Sequence, residues 1–299
     1  MKEKKSVIYI LIAGITWGLI TVFIKALSAY GLTAMNISLI RMAVASPVFA
    51  AVTAVTERNK MKIKLKDIPL FIGTGVISVV LFNCLYFYTM IKSQASIAVV
   101  LLYTSPVFIM IMSAVLFKEK ITGKKIVALI LTFAGCVLTA GLVGNGYKVS
   151  PLILLTGLGS GFCYALYSIF GRFALRKYES DTVTLYTFIF GLIGSLFIGE
   201  PAKTVKILAG TPKLILWGIG IGIVSTVLPY FFYTKGLKNI DTGKAGIIVA
   251  VEPLIGATLG MAVYHETVSA LKITGIALIL AAIVVLNLPE KKTEKTNKT

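Results

Sequence analysis

The chain has 299 residues, of which 57% are hydrophobic and only 14% charged, with a mean hydropathy of +0.90. Soluble domains carry about 25% charged residues, so a soluble enzyme or binding module is excluded. A net charge of +18 raises the question of nucleic acid, and the placement of the charges answers it below.

A helix needs about 20 mostly apolar residues to cross the hydrocarbon core of a bilayer. Ten stretches qualify, roughly 6–26, 33–55, 68–90, 95–116, 124–142, 150–172, 182–199, 213–234, 243–263 and 270–288, numbered here spans 1 to 10. The opening "MKEKKSVIYILIAGITWGLITVF" imitates a secretory leader, and "LSA" (27–29) a cleavage site. Its apolar stretch is longer than the usual 7–15 residues of a leader, so span 1, with Trp17, is expected to be retained. Span 2 carries Arg41 about eight residues in, and span 3 carries Asn83 and Tyr86. Span 4 contains Pro106 and runs out at Glu119; span 6 contains Tyr164. Span 9 holds the pair Glu252-Pro253 and closes at His265 and Glu266. Cys84, Cys136 and Cys163 fall inside spans without metal or disulfide spacing and read as packing residues. No metal site and no cofactor are expected.

With the N-terminus inside, the cytoplasmic segments hold 22 of the 30 Lys and Arg residues, including the run "ERNKMKIKLK" (57–66). That asymmetry is the positive-inside rule. It puts both termini in the cytoplasm of a cell (plasma or inner) membrane and makes anionic lipid, not nucleic acid, the neighbour of the basic runs.

The chain also contains itself twice. "IGTGVISVVL" (72–81) and "IGIGIVSTVL" (219–228) match at six of ten positions, 147 residues apart. The same offset pairs Gly14 with Gly161, Tyr86 with Tyr233, Pro106 with Pro253, Glu119 with Glu266 and Lys125 with Lys272. Trp17 then corresponds to Tyr164. Each copy has five spans, an odd number, so the second enters the membrane from the opposite side. The expected fold is an all-α membrane protein of ten transmembrane helices in two inverted five-helix repeats, 1–147 and 148–290, followed by a basic cytoplasmic tail, 291–299. Inverted repeats place a site near the midplane between the copies, and access alternates as the copies rock.

"ITWG" (15–18), "LIRMAVA" (39–45), "TSPVFIMIMSAVLFKEKIT" (104–122) and "AVEPLIGATLGMAVYHETVS" (250–269) resemble the drug/metabolite transporter superfamily, specifically its EamA-type ten-span members. The resemblance covers nearly the whole chain. It implies a transporter of small metabolites, with export favoured over import on the resemblance alone, and it does not name a substrate.

Among the twelve acidic residues, Glu252 alone lies deep in a span. A charge at the bilayer centre costs at least ~2.5–3.5 kcal/mol on insertion scales, and such groups usually face the bundle interior. Glu252 is thus the first candidate for a substrate- or proton-binding group, the alternative being a protonated packing residue. Arg41 is its candidate partner, or the partner of a substrate carboxylate; a structural ion pair and snorkelling toward the surface are the alternatives. Trp17, Tyr164, Asn83 and Tyr86 are candidates for the wall of a hydrated pocket, where aromatic faces and hydroxyls suit a small amphipathic solute. Pro106 and Pro253 are candidate flexing points, because a proline inside a helix frees a backbone carbonyl. Glu119 and Glu266, each shortly before the next helix, read as structural helix-end carboxylates.

The leading reading is a secondary transporter of an amino acid, amine or related amphipathic solute, probing both leaflets by alternating access and partnered by the bilayer and its substrate. Proton coupling and facilitated diffusion both stay open, as do monomer and homodimer. An intramembrane enzyme lacks clustered nucleophile, base and metal ligands. A non-transporting sensor or scaffold is the remaining alternative.

Overall fold

The computed structural model describes residues 2–56, 61–93, 95–142, 150–264 and 269–288, and their regular structure is entirely helical. Among the described residues, nine segments are long and apolar enough to cross a membrane: Lys2–Ser28, Ala34–Thr56, Leu65–Lys92, Ile97–Phe117, Pro151–Leu175, Ser180–Ile198, Lys213–Leu237, Thr242–Val263 and Ala270–Asn287. The tenth, Gly123–Thr139, has 17 residues, about 25 Å at 1.5 Å per residue. These are spans 1 to 10 in chain order. His265, Glu266 and the tail 291–299 lie outside the described residues.

Local chemistry sets the helix ends. Thr33 and Asn36 cap span 2 reciprocally: Thr33 N donates to Asn36 Oδ1 at 2.9 Å and Asn36 N to Thr33 Oγ1 at 3.3 Å. Thr122 and Ser269, one repeat offset apart, cap spans 5 and 10 by accepting from Lys125 N and Lys272 N. A short helix, Pro201–Gly210, joins spans 7 and 8. The apolar pattern predicts only a link here; Pro201 at the first helical position, with its φ already set, marks the start of the helix.

Packing follows the duplication. The first helix of each repeat seats on the third and fourth helices of the other: span 1 on spans 8 and 9, span 6 on spans 3 and 4. Spans 2 and 7 pair, and spans 5 and 10 pair. The last pair meets glycine to glycine: a β-carbon on Gly135 would lie 2.7 Å from the carbonyl oxygen of Gly275, and the reverse substitution gives the same distance. Close backbone approach through small residues is how helices associate where lipid is as apolar as leucine. Apolar side chains on the outside, such as Leu155 (70% exposed) and Phe197 (85%), face the acyl chains.

Spans 3, 4, 8 and 9 depart from regular α-helix in pairs related by the offset; span 1 is also interrupted, at Leu19, while its partner span 6 runs unbroken over Pro151–Leu175. Spans 3 and 8 contain π-helical segments, Gly73–Leu81 and Ile223–Val227. Spans 4 and 9 are interrupted, at 103–104 and through the 3₁₀ turn Val249–Val251. The prolines therefore do not kink continuous helices. Each is the second residue of a new half-helix, Ser105–Phe117 or Glu252–Tyr264, where its missing N–H is an orphan in any case. The break falls where the proline ring would collide with the carbonyl four residues back, at Leu102 and Val249.

Candidate functional site

Interrupted helices end in the membrane interior, and the N-terminus of a half-helix carries partial positive charge. Glu252 is the first residue of the second half of span 9, ten residues from its start at Thr242, and so sits near mid-depth. Its carboxylate lies within hydrogen-bonding reach of the Tyr164 hydroxyl of span 6 and the Tyr103 hydroxyl of span 4, and within electrostatic reach of Arg41. Glu252 thus points into the bundle, not toward the acyl chains.

Arg41 is 7% exposed and does not snorkel to the surface. Its Nε donates to Thr226 Oγ1 at 2.9 Å, and it lies within electrostatic reach of Tyr230 and Glu252. The π-helical turn of span 8 prepares this contact. Its wider turn loosens the backbone ladder, and the Thr226 hydroxyl donates five residues back to the Ile221 carbonyl at 3.0 Å. That leaves the oxygen lone pairs facing Arg41. In span 3 the Ser78 hydroxyl likewise donates five residues back, to the Gly73 carbonyl at 2.7 Å.

Trp17 anchors an aromatic cluster on the other side of Tyr164. Its ring centroid lies 6.3 Å from Tyr164, 5.4 Å from Tyr233 and 5.1 Å, edge to face, from Tyr230. Tyr167 completes the group, 5.0 Å from Tyr230. Its hydroxyl and that of Tyr233 bond to Thr234 and Ser168 at 2.7 Å each. These rings, with Ser78, enclose a cavity of about 10 Å³, room for one water. The sequence reading expects a hydrated pocket; the pocket found here is contracted, because the rings fold inward against one another.

The sequence model of the EamA-like transporter family matches residues 4–141 and, a second time, residues 151–288. The chain belongs to the EamA-like transporter family. It is an integral membrane transporter and not an enzyme. It is similar to an uncharacterized transporter of Archaeoglobus fulgidus, 26% identical over 271 residues that cover 90% of this chain and 94% of the relative. It is also similar to the threonine/homoserine exporter RhtA of Escherichia coli, 28% identical over 142 residues, 46% of each chain. Among solved structures, one crystal structure superposes with a TM-score of 0.79 at 16% identity, covering 95% of this chain and 96% of the other. That likeness speaks for the fold alone.

On this EamA-like frame the other candidates separate. Tyr86 is half-buried, stacks on Phe82 at 5.6 Å and lies within electrostatic reach of Glu252, so it borders the site. Asn83 does not face it in the same way: its Nδ2 donates to Ser38 Oγ at 2.6 Å, tying span 3 to span 2. Glu119 lies at the membrane edge and accepts from the backbone N–H groups of Thr242 and Gly243 at 2.7 and 3.0 Å. It therefore caps span 9, in the other repeat, and not the helix that follows it in sequence. Glu266 is outside the described residues. Beyond those candidates Tyr103, Tyr167, Tyr230, Tyr233 and Thr226 border the site. Tyr103 was readable as the residue at the span 4 break, two before the position equivalent to Glu252. Thr226 carried no signal, because a threonine in an apolar run is ordinary.

Proposed function

We propose that the protein is a secondary transporter that exports a small zwitterionic solute, an amino acid or a close relative, across the plasma or inner membrane by alternating access, with both termini in the cytoplasm. The observation that carries this reading is the opposed pair at mid-depth: the Arg41 guanidinium and the Glu252 carboxylate, held on different repeats beside an aromatic cavity. A zwitterion presents the complementary pair, its carboxylate to Arg41 and its ammonium to Glu252 and to the faces of Trp17 and the neighbouring tyrosines. The partial likeness to a threonine/homoserine exporter supports this substrate class. Interrupted spans 4 and 9 and π-helical spans 3 and 8 supply the flexing elements, and Pro106 and Pro253 fix where spans 4 and 9 divide. Glu252 also serves as the group through which a proton couples to transport. A thermal-shift screen of amino acids and amines, followed by counterflow of labelled hits in proteoliposomes, tests the reading. Stabilisation and counterflow by amino acids support it; counterflow by simple amines alone removes Arg41 from its assigned role.

A further inference from the structure

Away from the central site, on the face that carries the N-terminus, the ends of spans 1, 4, 5, 6, 8, 9 and 10 surround a cavity of about 950 Å³. Small-molecule sites run to about 1,000 Å³, so this is the size of a ligand pocket. Eight Lys and Arg side chains line it against three carboxylates, and each repeat contributes four of the cations. All three carboxylates are already engaged. Glu119 accepts from the backbone of Thr242 and Gly243, Asp241 pairs with Lys125 at 3.0 Å, and Glu3 pairs with Lys244 at 3.0 Å.

The positive-inside rule accounts for cations at this end of the molecule. It does not account for their convergence from two repeats on one shared hollow: Lys125, Lys244 and Lys238 pair with Asp241, Glu3 and Glu179, Lys124 and Arg172 donate to the carbonyls of Leu288 and Leu237, and the like charges of the rest repel. One of the cations is held there against local preference. Lys118 ends span 4 in the left-handed conformation, φ 56°, where a β-carbon is unfavourable and glycine is the usual occupant. Arg176 is pre-positioned by stacking over the Phe117 ring, 5.0 Å from its centroid. Rigid guanidinium and clustered ammonium groups match the oxygens of a phosphate.

We propose that this cavity is an anion site for a phosphate group, supplied by an anionic phospholipid or by a soluble phosphate anion. A phosphate bound there bridges cations of both repeats. Because it binds only while those cations converge, it stabilises that arrangement by the difference in affinity between the two states. The site thereby sets the balance of the transport cycle without contacting the cargo.

The test uses purified full-length protein in nanodiscs. In pure phosphatidylcholine discs the melting temperature is followed while inorganic phosphate is added; in a second arm the discs contain phosphatidylglycerol. The comparison variant is Lys118→Gly with Lys120→Gln. Both positions are exposed, the first change relieves the left-handed backbone, and the Lys120 carbonyl that accepts from Lys125 Nζ is retained. The wild type is expected to melt at higher temperature with phosphate or with phosphatidylglycerol, and the variant to require about fivefold more phosphate or anionic lipid per lysine removed. A shift with phosphate in phosphatidylcholine discs assigns the soluble anion; a shift confined to phosphatidylglycerol discs assigns the lipid. No shift in either arm, the same shift with chloride at matched ionic strength, or an unchanged response in the variant overturns the proposal.

Discussion

Gly14 lies flush against Val251: a β-carbon at position 14 would stand 2.4 Å from Val251 Cγ1. Gly161 bears the same relation to Thr104, whose hydroxyl would be 2.8 Å from its β-carbon, and both residues of this second contact lie one repeat offset from those of the first. The leading helix of each repeat is thereby seated on the interrupted helix of the other, next to the site. Gly14→Ala is expected to destabilise the protein by ~1–3 kcal/mol through overpacking. Gly256→Ala, in the same span 9 but with nothing within 4 Å of the new methyl, is expected to stabilise by ~0.5–1 kcal/mol. Melting of the two purified variants side by side checks the contrast.

Glu119→Gln keeps an acceptor for only one of the Thr242 and Gly243 N–H groups, turns a donor toward the other and removes the charge that complements the start of span 9. The expected loss is about 1 kcal/mol, read as a lower melting temperature with the half-saturating substrate concentration in counterflow unchanged. A large change in that concentration would move Glu119 into the transport site.

Thr226→Val preserves shape while removing the acceptor for Arg41 Nε. A buried donor left unpaired costs ~1–3 kcal/mol, so both melting temperature and flux are expected to fall. Thr226→Ser restores the oxygen and is expected to recover most of both. Rescue by serine separates the hydrogen bond from the methyl packing.

The fold was legible because three independent signals agreed: ten apolar runs, basic residues concentrated on alternate links, and a single offset of 147 running from Gly14 to Lys272. The depth of Glu252 was legible for the same reason, since only span length and position enter it. Side-chain direction was not. Asn83 looked like pocket lining and is instead tied to Ser38, because a polar residue in mid-span satisfies itself on whichever neighbour packs there. Thr226 and the cross-repeat reach of Glu119 to Thr242 depend on which helices touch, and this contact map is not written in either helix alone. The two prolines pointed to the right places with the wrong geometry: the chain breaks before them and does not bend at them.

Orientation is checked with single cysteines in a background where Cys84, Cys136 and Cys163 are replaced. Lys64→Cys is expected to react with a membrane-impermeant maleimide in inside-out vesicles and to stay unreactive in intact cells. Labelling from outside would invert the assignment of the two faces.

Glu252→Gln most directly tests the central claim, that the half-buried carboxylate facing Tyr103 and Tyr164 handles the cargo. Counterflow of a labelled amino acid identified by thermal shift is measured for wild type and variant in matched proteoliposomes, across a range of pH, alongside melting temperature. The account predicts that the variant folds with a nearly unchanged melting temperature, loses at least about tenfold in flux, consistent with one charge-assisted contact, and shows a flattened pH dependence. Wild-type flux with an unaltered pH profile in the variant would contradict it and leave Glu252 a packing residue.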